Sequence, residues 1–174
     1  MPINFERALK GTKGQIFYLL LREPGLNVTQ LAEKIGIKQP SMTLALQILE
    51  KNKMVKIEFD DKGTGIKKRY TPSYRGFFEQ QAKSFEIDIP DEVYDSIDEV
   101  LLDPKIKPLW LKVSEKASEV KNAMSIIMAS SVMILDPDFQ IKIQDILKKD
   151  RKLQLAWNNG IIKYAEILRK KFQF

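Results

Sequence analysis

The chain has 174 residues, 44% of them apolar, with no cysteine, no histidine and a formal net charge of +6. That apolar content supports a real core rather than wholesale disorder, and the length allows one large domain or two small ones. The missing residue types exclude disulfides, thiol redox sensing, Cys/His zinc sites and every catalytic dyad or triad that needs imidazole or thiolate. No catalytic residue, metal or cofactor is therefore expected.

The charge is uneven. Residues 1–85 carry 15 Lys/Arg against 8 Asp/Glu, a balance of +7, and residues 86–174 carry 14 against 15, a balance of −1. A basic half joined to a near-neutral half suits a nucleic-acid-binding domain with a non-binding partner domain. The apolar run Ala123 to Leu135 is too short and too serine-rich to span a bilayer, and the N-terminus lacks the apolar core of a signal peptide. The expected setting is cytoplasmic.

In chain order, Phe5 to Arg22 reads as a first helix with Ile16, Leu19 and Leu20 on its apolar face, ended by Pro24-Gly25. The stretch from Asn27 to Glu50, NVTQLAEKIGIKQPSMTLALQILE, reads as two helices and a turn. Asn27 and Gln30 stand at capping-box spacing, and Leu26 and Leu31 at the two positions of a hydrophobic staple. Leu31, Ile35, Met42, Leu46 and Leu49 point inward at helical spacing. Ala32 is small where the helices must cross. Gly36 ends the first helix by turning left-handed, Ile37 plugs the turn, and Pro40 sits near the start of the second helix, where its missing N–H is harmless.

Val55 to Phe59 alternates with period two, Asp60 to Gly65 is turn chemistry, and Ile66 to Tyr70 alternates again, which predicts a β-hairpin. It carries Lys56, Lys62, Lys67, Lys68 and Arg69. Gly63-Thr64-Gly65 lacks the following Lys-Ser/Thr and helix of a phosphate loop.

The run L-A-x-x-I-G-I-x-x-P-S-h-T (h apolar), followed by a hairpin, resembles the helix-turn-helix of winged-helix transcription regulators of the MarR, ArsR, TrmB and PadR kind. Thr71-Pro72-Ser73-Tyr74-Arg75-Gly76 resembles the exit of such a wing, where a helix opens. About a third of the chain follows that plan. The resemblance implies a mainly α fold with a small β-hairpin: a winged helix-turn-helix over residues 1–86 and a helical dimerisation domain over 87–174, with room for a small-molecule effector. Double-stranded DNA is the implied partner, and a homodimer the implied assembly.

On the second helix of the pair, the outward residues Gln39, Ser41, Thr43, Leu44 and Gln47 are the base-reading candidates. Gln pairs bidentately with adenine, Ser and Thr bond base edges or phosphates, and Leu meets a thymine methyl. Backbone candidates are Lys38, Lys51, Lys53, Lys62, Thr64, Lys67, Lys68 and Arg69. The sequence departs from the family habit of Arg where Leu44 stands and of a Ser or Thr cap where Lys38 stands. Anchoring then falls to the wing and to Lys51, Lys53, Lys10 and Lys13.

Beyond the wing, Phe77, Phe78, Ala82 and Phe85 are expected to face inward on a helix. Glu86 to Asp103 holds eight carboxylates and no Lys or Arg. Its Val93, Ile97 and Leu101 spacing predicts an amphipathic helix starting near Pro90, with a solvated acidic face. Ile106, Trp110, Val113, Ala117, Val120, Met124, Ile127, Ser131 and Ile134 recur in steps of four and three, a seam of coiled-coil type. Trp110, Val113, Val120, Met124 and Ile127 are the dimerisation candidates, although the same seam can be filled within one chain. Asp136 caps a helix to about Lys149, and a last helix from about Arg151 meets Asn158-Asn159-Gly160 as a kink or a tight crossing.

Two other functions stay open. A winged helix also serves as a protein-interaction module, since fold does not fix function, and Leu44 on the reading face suits a protein partner as well as a methyl group. A metal-dependent nuclease would have only Glu58, Asp60, Asp61 and Lys68 to work with, on an exposed turn that holds a metal poorly.

Overall fold

The computed structural model describes residues 11–60, 67–118 and 136–173, with the side chains of 113–118 left aside. Contacts divide the chain into two compact units, Met1–Phe77 and Phe78–Phe174. Among the described residues no helix is long and apolar enough to cross a membrane.

In the first unit, α1 (Thr12–Arg22), α2 (Val28–Ile35) and α3 (Gln39–Lys51) precede the strands β1 (Val55–Asp60) and β2 (Lys67–Pro72). The earlier part of the expected first helix, from Phe5, lies outside the described residues. Ile16, Phe17, Leu20 and Leu21 of α1 pack against Leu31, Ala32, Met42, Leu46 and Leu49, all buried. The start of α2 is built as the residue pattern requires. Asn27 Oδ1 accepts from the Gln30 amide at 2.9 Å, and Gln30 Oε1 accepts from the Asn27 amide at 3.0 Å. Gly36 sits at φ 79°, ψ 35° and its N–H donates to the Ala32 carbonyl, the left-handed exit that glycine reaches without a Cβ penalty.

The hairpin is antiparallel, with Val55 opposite Pro72 and Asp60 opposite Lys67. β2 runs two residues beyond the expected Tyr70, because Thr71 and Pro72 still oppose Lys56 and Val55. Leu26 bridges to Tyr70, so the segment before α2 is tied onto the wing. The period-two reading of β1 places Val55 and Ile57 inward, but Phe59, expected inward with them, is 66% exposed. Phe59 stands one residue from the turn end of β1.

Gly76 closes the unit. A Cβ there would lie 2.0 Å from the Asn52 carbonyl oxygen, and the Gly76 N–H donates to the Lys53 carbonyl. Gly76 is the second residue of α4 (Arg75–Ser84), which can therefore start against the exit of α3 only with glycine in place. The ring of Phe17 meets Tyr74 edge-on and Phe77 at a tilt, both at 5.6 Å.

In the second unit, α5 (Asp91–Leu101) starts after Pro90 as expected and buries Val93, Tyr94, Ile97, Val100 and Leu101. Its acidic face is not wholly solvated. Asp98 is 4% exposed, whereas Asp91, Glu92, Asp95 and Glu99 face water. α6 (Lys107–Ser118) follows, with Ile106 buried just before it and Trp110 half-buried. Of the expected seam, Val120, Met124 and Ile127 lie outside the described residues, and Val113 is placed on α6 by its backbone alone.

Asp136 Oδ1 accepts from the Asp138 amide at the start of α7 (Pro137–Lys149), and Asp150 Oδ1 accepts from the Leu153 amide at the start of α8 (Arg151–Trp157). Asn158–Ile162 forms one π-helical turn leading into α9 (Lys163–Phe172). The interruption is thus both a bulge and a tight crossing, since a Cβ on Gly160 would lie 2.7 Å from the Ile97 nitrogen. The Tyr164 hydroxyl donates to Gln81 Oε1 at 2.6 Å, with the Phe78 carbonyl 3.1 Å away, and burial pushes its pKa up. Ala82 is buried as expected. Phe85, expected inward, is 39% exposed and meets Phe172 edge-on at 5.0 Å, because α4 ends there and leaves little to cover the ring.

Candidate nucleic-acid interface

α3 divides into a buried stripe of Met42, Ala45, Leu46 and Leu49 and an open arc on the other side. At 100° per residue, Gln39, Thr43 and Gln47 form one row of that arc, with Ser41, Leu44 and Ile48 beside it. Gln39, Ser41, Thr43, Leu44 and Gln47 are all exposed, Leu44 by 62%. Ile48, 43% exposed, was not among the expected contacts. Its position one turn beyond Leu44 was the signal that could have found it.

The hydrogen bonds on this face already constrain what it can offer. The Thr43 hydroxyl donates to the Gln39 carbonyl at 3.0 Å, so its proton is used and its lone pairs remain to accept. The Gln39 amide Nε2 donates to Thr29 Oγ1 at 3.1 Å, which links the first turns of α2 and α3. Lys38 stands at the N-cap of α3 with extended backbone and no capping side chain, and Pro40 lies in the first turn. An uncapped helix start beside a lysine suits a phosphate oxygen.

The cations of the expected backbone contact separate into kinds. Lys38, Lys51, Lys53, Lys67 and Lys68 are exposed. Lys62 and Thr64 lie outside the described residues. Lys53 adopts φ 55° in the turn between α3 and β1. Arg69 is engaged inside the unit: its Nε donates to Asp60 Oδ2 at 2.9 Å and its Nη1 to the Gly25 carbonyl at 3.0 Å. The guanidinium thus ties both strands of the wing to the turn before α2. The same bond takes up Asp60, one of the carboxylates a nuclease reading would need. Among the described residues no three of His, Cys, Asp and Glu stand close enough to hold a metal ion.

Three helices, a glycine turn between the second and third, and a hairpin directly after them make a winged helix-turn-helix. Residues 11–57, from the start of α1 into β1, match the model of the MarR family. The first unit is a winged helix-turn-helix that over those residues is similar to the MarR family, and the match supports a DNA-binding transcription regulator. Among solved structures the chain is similar to a MarR protein from Peptoclostridium difficile, with 20% identity, 66% of this chain and 72% of that chain covered, and a TM-score of 0.38. No curated protein matches the chain.

Proposed function

We propose that this protein is a transcriptional repressor of a prokaryote that reads operator DNA with α3 and grips the backbone with its wing. The observation that carries the reading is the exposed row Gln39, Thr43 and Gln47 on α3, the second helix of the pair, within the residues that match the MarR family. Gln39, Ser41, Thr43, Leu44 and Gln47 meet base edges, and Lys38, Lys51, Lys53, Lys62, Thr64, Lys67 and Lys68 meet phosphates. Arg69 shapes the wing that carries Lys67 and Lys68.

The helical half pairs two copies, with Trp110 and the seam beyond it as the contact. Two reading helices then meet successive turns of a palindrome, about 34 Å apart. An effector bound in that half changes the spacing by favouring one arrangement of the pair over another.

The test is the slope of log affinity for duplex DNA against log salt, followed by selection of bound sequences from a random pool. A steep negative slope and a palindromic selected site support the reading, and a slope near zero removes it. Sedimentation at several concentrations tests the dimer.

One observation favours a second reading. Leu44 and Ile48 place two exposed aliphatic side chains one turn apart on the same helix. An apolar pair of this kind suits a protein partner, and a flat salt dependence with no selected sequence would favour that reading.

A further inference from the structure

We propose that Thr29, outside the reading helix, is the positioning residue that fixes Gln39 to prefer adenine over guanine. This rests on the DNA-reading function proposed above. Gln39 is the first residue of α3 and is exposed, so burial does little to choose its rotamer. Its side-chain amide donates to Thr29 Oγ1 on α2, at 3.1 Å.

That acceptor is itself held in place. Thr29 lies in the first turn of α2, between the two members of the Asn27–Gln30 capping box. The Thr29 side chain is short and confined to staggered χ1 wells, in one of which its oxygen meets Gln39. At the other end of the bond, Gly36 in its left-handed turn and Pro40 in the first turn of α3 set where Gln39 begins.

The consequence is in the proton count. A glutamine amide has two N–H donors and one oxygen acceptor. An unlatched amide can turn its NH₂ toward guanine, whose N7 and O6 both accept. With one N–H committed to Thr29, a single N–H and Oε1 remain, a donor beside an acceptor. Adenine presents the matching pair, N7 to accept and N6 to donate, whereas guanine sets its O6 against Oε1.

The experiment compares the wild-type protein with Thr29→Val, Thr29→Ser, Gln39→Ala and Thr29→Val/Gln39→Ala on duplexes drawn from the selected site. The valine variant keeps the shape of threonine and removes the acceptor; the serine variant restores it. Expected is a drop of about three- to tenfold in the A·T over G·C preference at one base pair for Thr29→Val, and wild-type preference for Thr29→Ser. Gln39→Ala should lose the preference at that same pair, and the double variant should behave as Gln39→Ala does.

A purely structural role for Thr29 predicts equal weakening on every sequence together with a lower Tm, and that result overturns the proposal. So does an unchanged preference in Thr29→Val. A readout without DNA accompanies this: the side-chain amide resonances of Gln39 in the free protein should move in Thr29→Val and stay in Thr29→Ser. If the wild-type protein shows no salt-dependent duplex binding at all, the DNA-reading function falls, and this inference with it. If the wild type selects a base through Gln39 and Thr29→Val selects it equally well, only the role of Thr29 falls.

Discussion

Gly160 lies so close to Ile97 that a Cβ on the glycine would stand 2.7 Å from the isoleucine backbone nitrogen and 2.8 Å from the Ser96 carbonyl carbon. The obstacle is backbone, which cannot swing aside as a side-chain end can. In an open helix, Gly→Ala would gain about 1 kcal/mol from helix propensity. Here the clash outweighs that gain, because overpacking against a fixed neighbour costs about 1–3 kcal/mol. Gly160→Ala should therefore lower the urea midpoint, while Asn159→Ala, one residue earlier and exposed, should leave the unfolding free energy within about 0.5 kcal/mol of wild type. Equal midpoints for the two variants would contradict the close crossing.

The capping box gives a second expectation. Removing the Asn27 side chain leaves the Gln30 amide without its partner at the start of α2. Loss of such a cap costs about 1 kcal/mol. Gln30→Ala should cost less, since Asn27 Oδ1 still accepts from the helix. Thermal unfolding of Asn27→Ala, Gln30→Ala and the double variant checks this, and the two effects should be less than additive because the residues form one unit.

These two cases also divide what the residues reveal from what they conceal. Helix ends were legible because their chemistry is local: Asn27, Gly36, Pro40 and Asp136 each act within a turn of their own position. The outward row on α3 was legible for the same reason, since helical spacing alone separates Thr43 from Met42. What depends on partners distant in sequence was hidden. Arg69 looked like one more wing cation, yet Gly25, 44 residues away, engages it. Phe59 fitted the alternation of a half-buried strand, but what covers the turn end of a hairpin is not written in the hairpin. The bond between Thr29 and Gln39 needed the crossing of two helices, and the burial of Asp98 needed the fold around it.

Asp150 yields a pH prediction. Its Oδ2 accepts from Lys105 Nζ at 2.6 Å while its Oδ1 caps α8. The hydrogen bond from Lys105, then that from the Leu153 amide, holds the carboxyl below its ordinary 3.8, and Asp150 in turn raises Lys105 above 10.5. A depressed carboxyl contributes stability that is fully present above its unfolded pKa and is lost as pH falls through the folded one. The contribution should therefore persist at pH 5 and disappear below 3.8. The raised lysine gives the opposite limb, present below 10.5 and lost as pH rises through its folded value. A carboxyl-detected titration should place the Asp150 midpoint below 3.8 in wild type and nearer to it in Lys105→Met. An unmoved midpoint would mean that the pair is not held in solution.

The wing separates two roles for cations that composition alone treats alike. Lys67 and Lys68 are exposed on β2, whereas Arg69 beside them bonds Asp60 and the Gly25 carbonyl. If both lysines meet phosphates, each neutralised phosphate releases counterions and contributes about 0.9 to the slope of log affinity against log salt. Lys67→Ala/Lys68→Ala should then reduce that slope by about 1.8 and weaken binding uniformly across sequences, with little change in Tm. Arg69→Ala should do the reverse. It removes a half-exposed ion pair and a bond to a backbone carbonyl, a loss of about 1–2 kcal/mol of stability, with a slope change well below that of the lysine pair. A steep slope change in Arg69→Ala with an unchanged Tm would mean that the guanidinium leaves Asp60 for the duplex, and that the wing is rebuilt on binding.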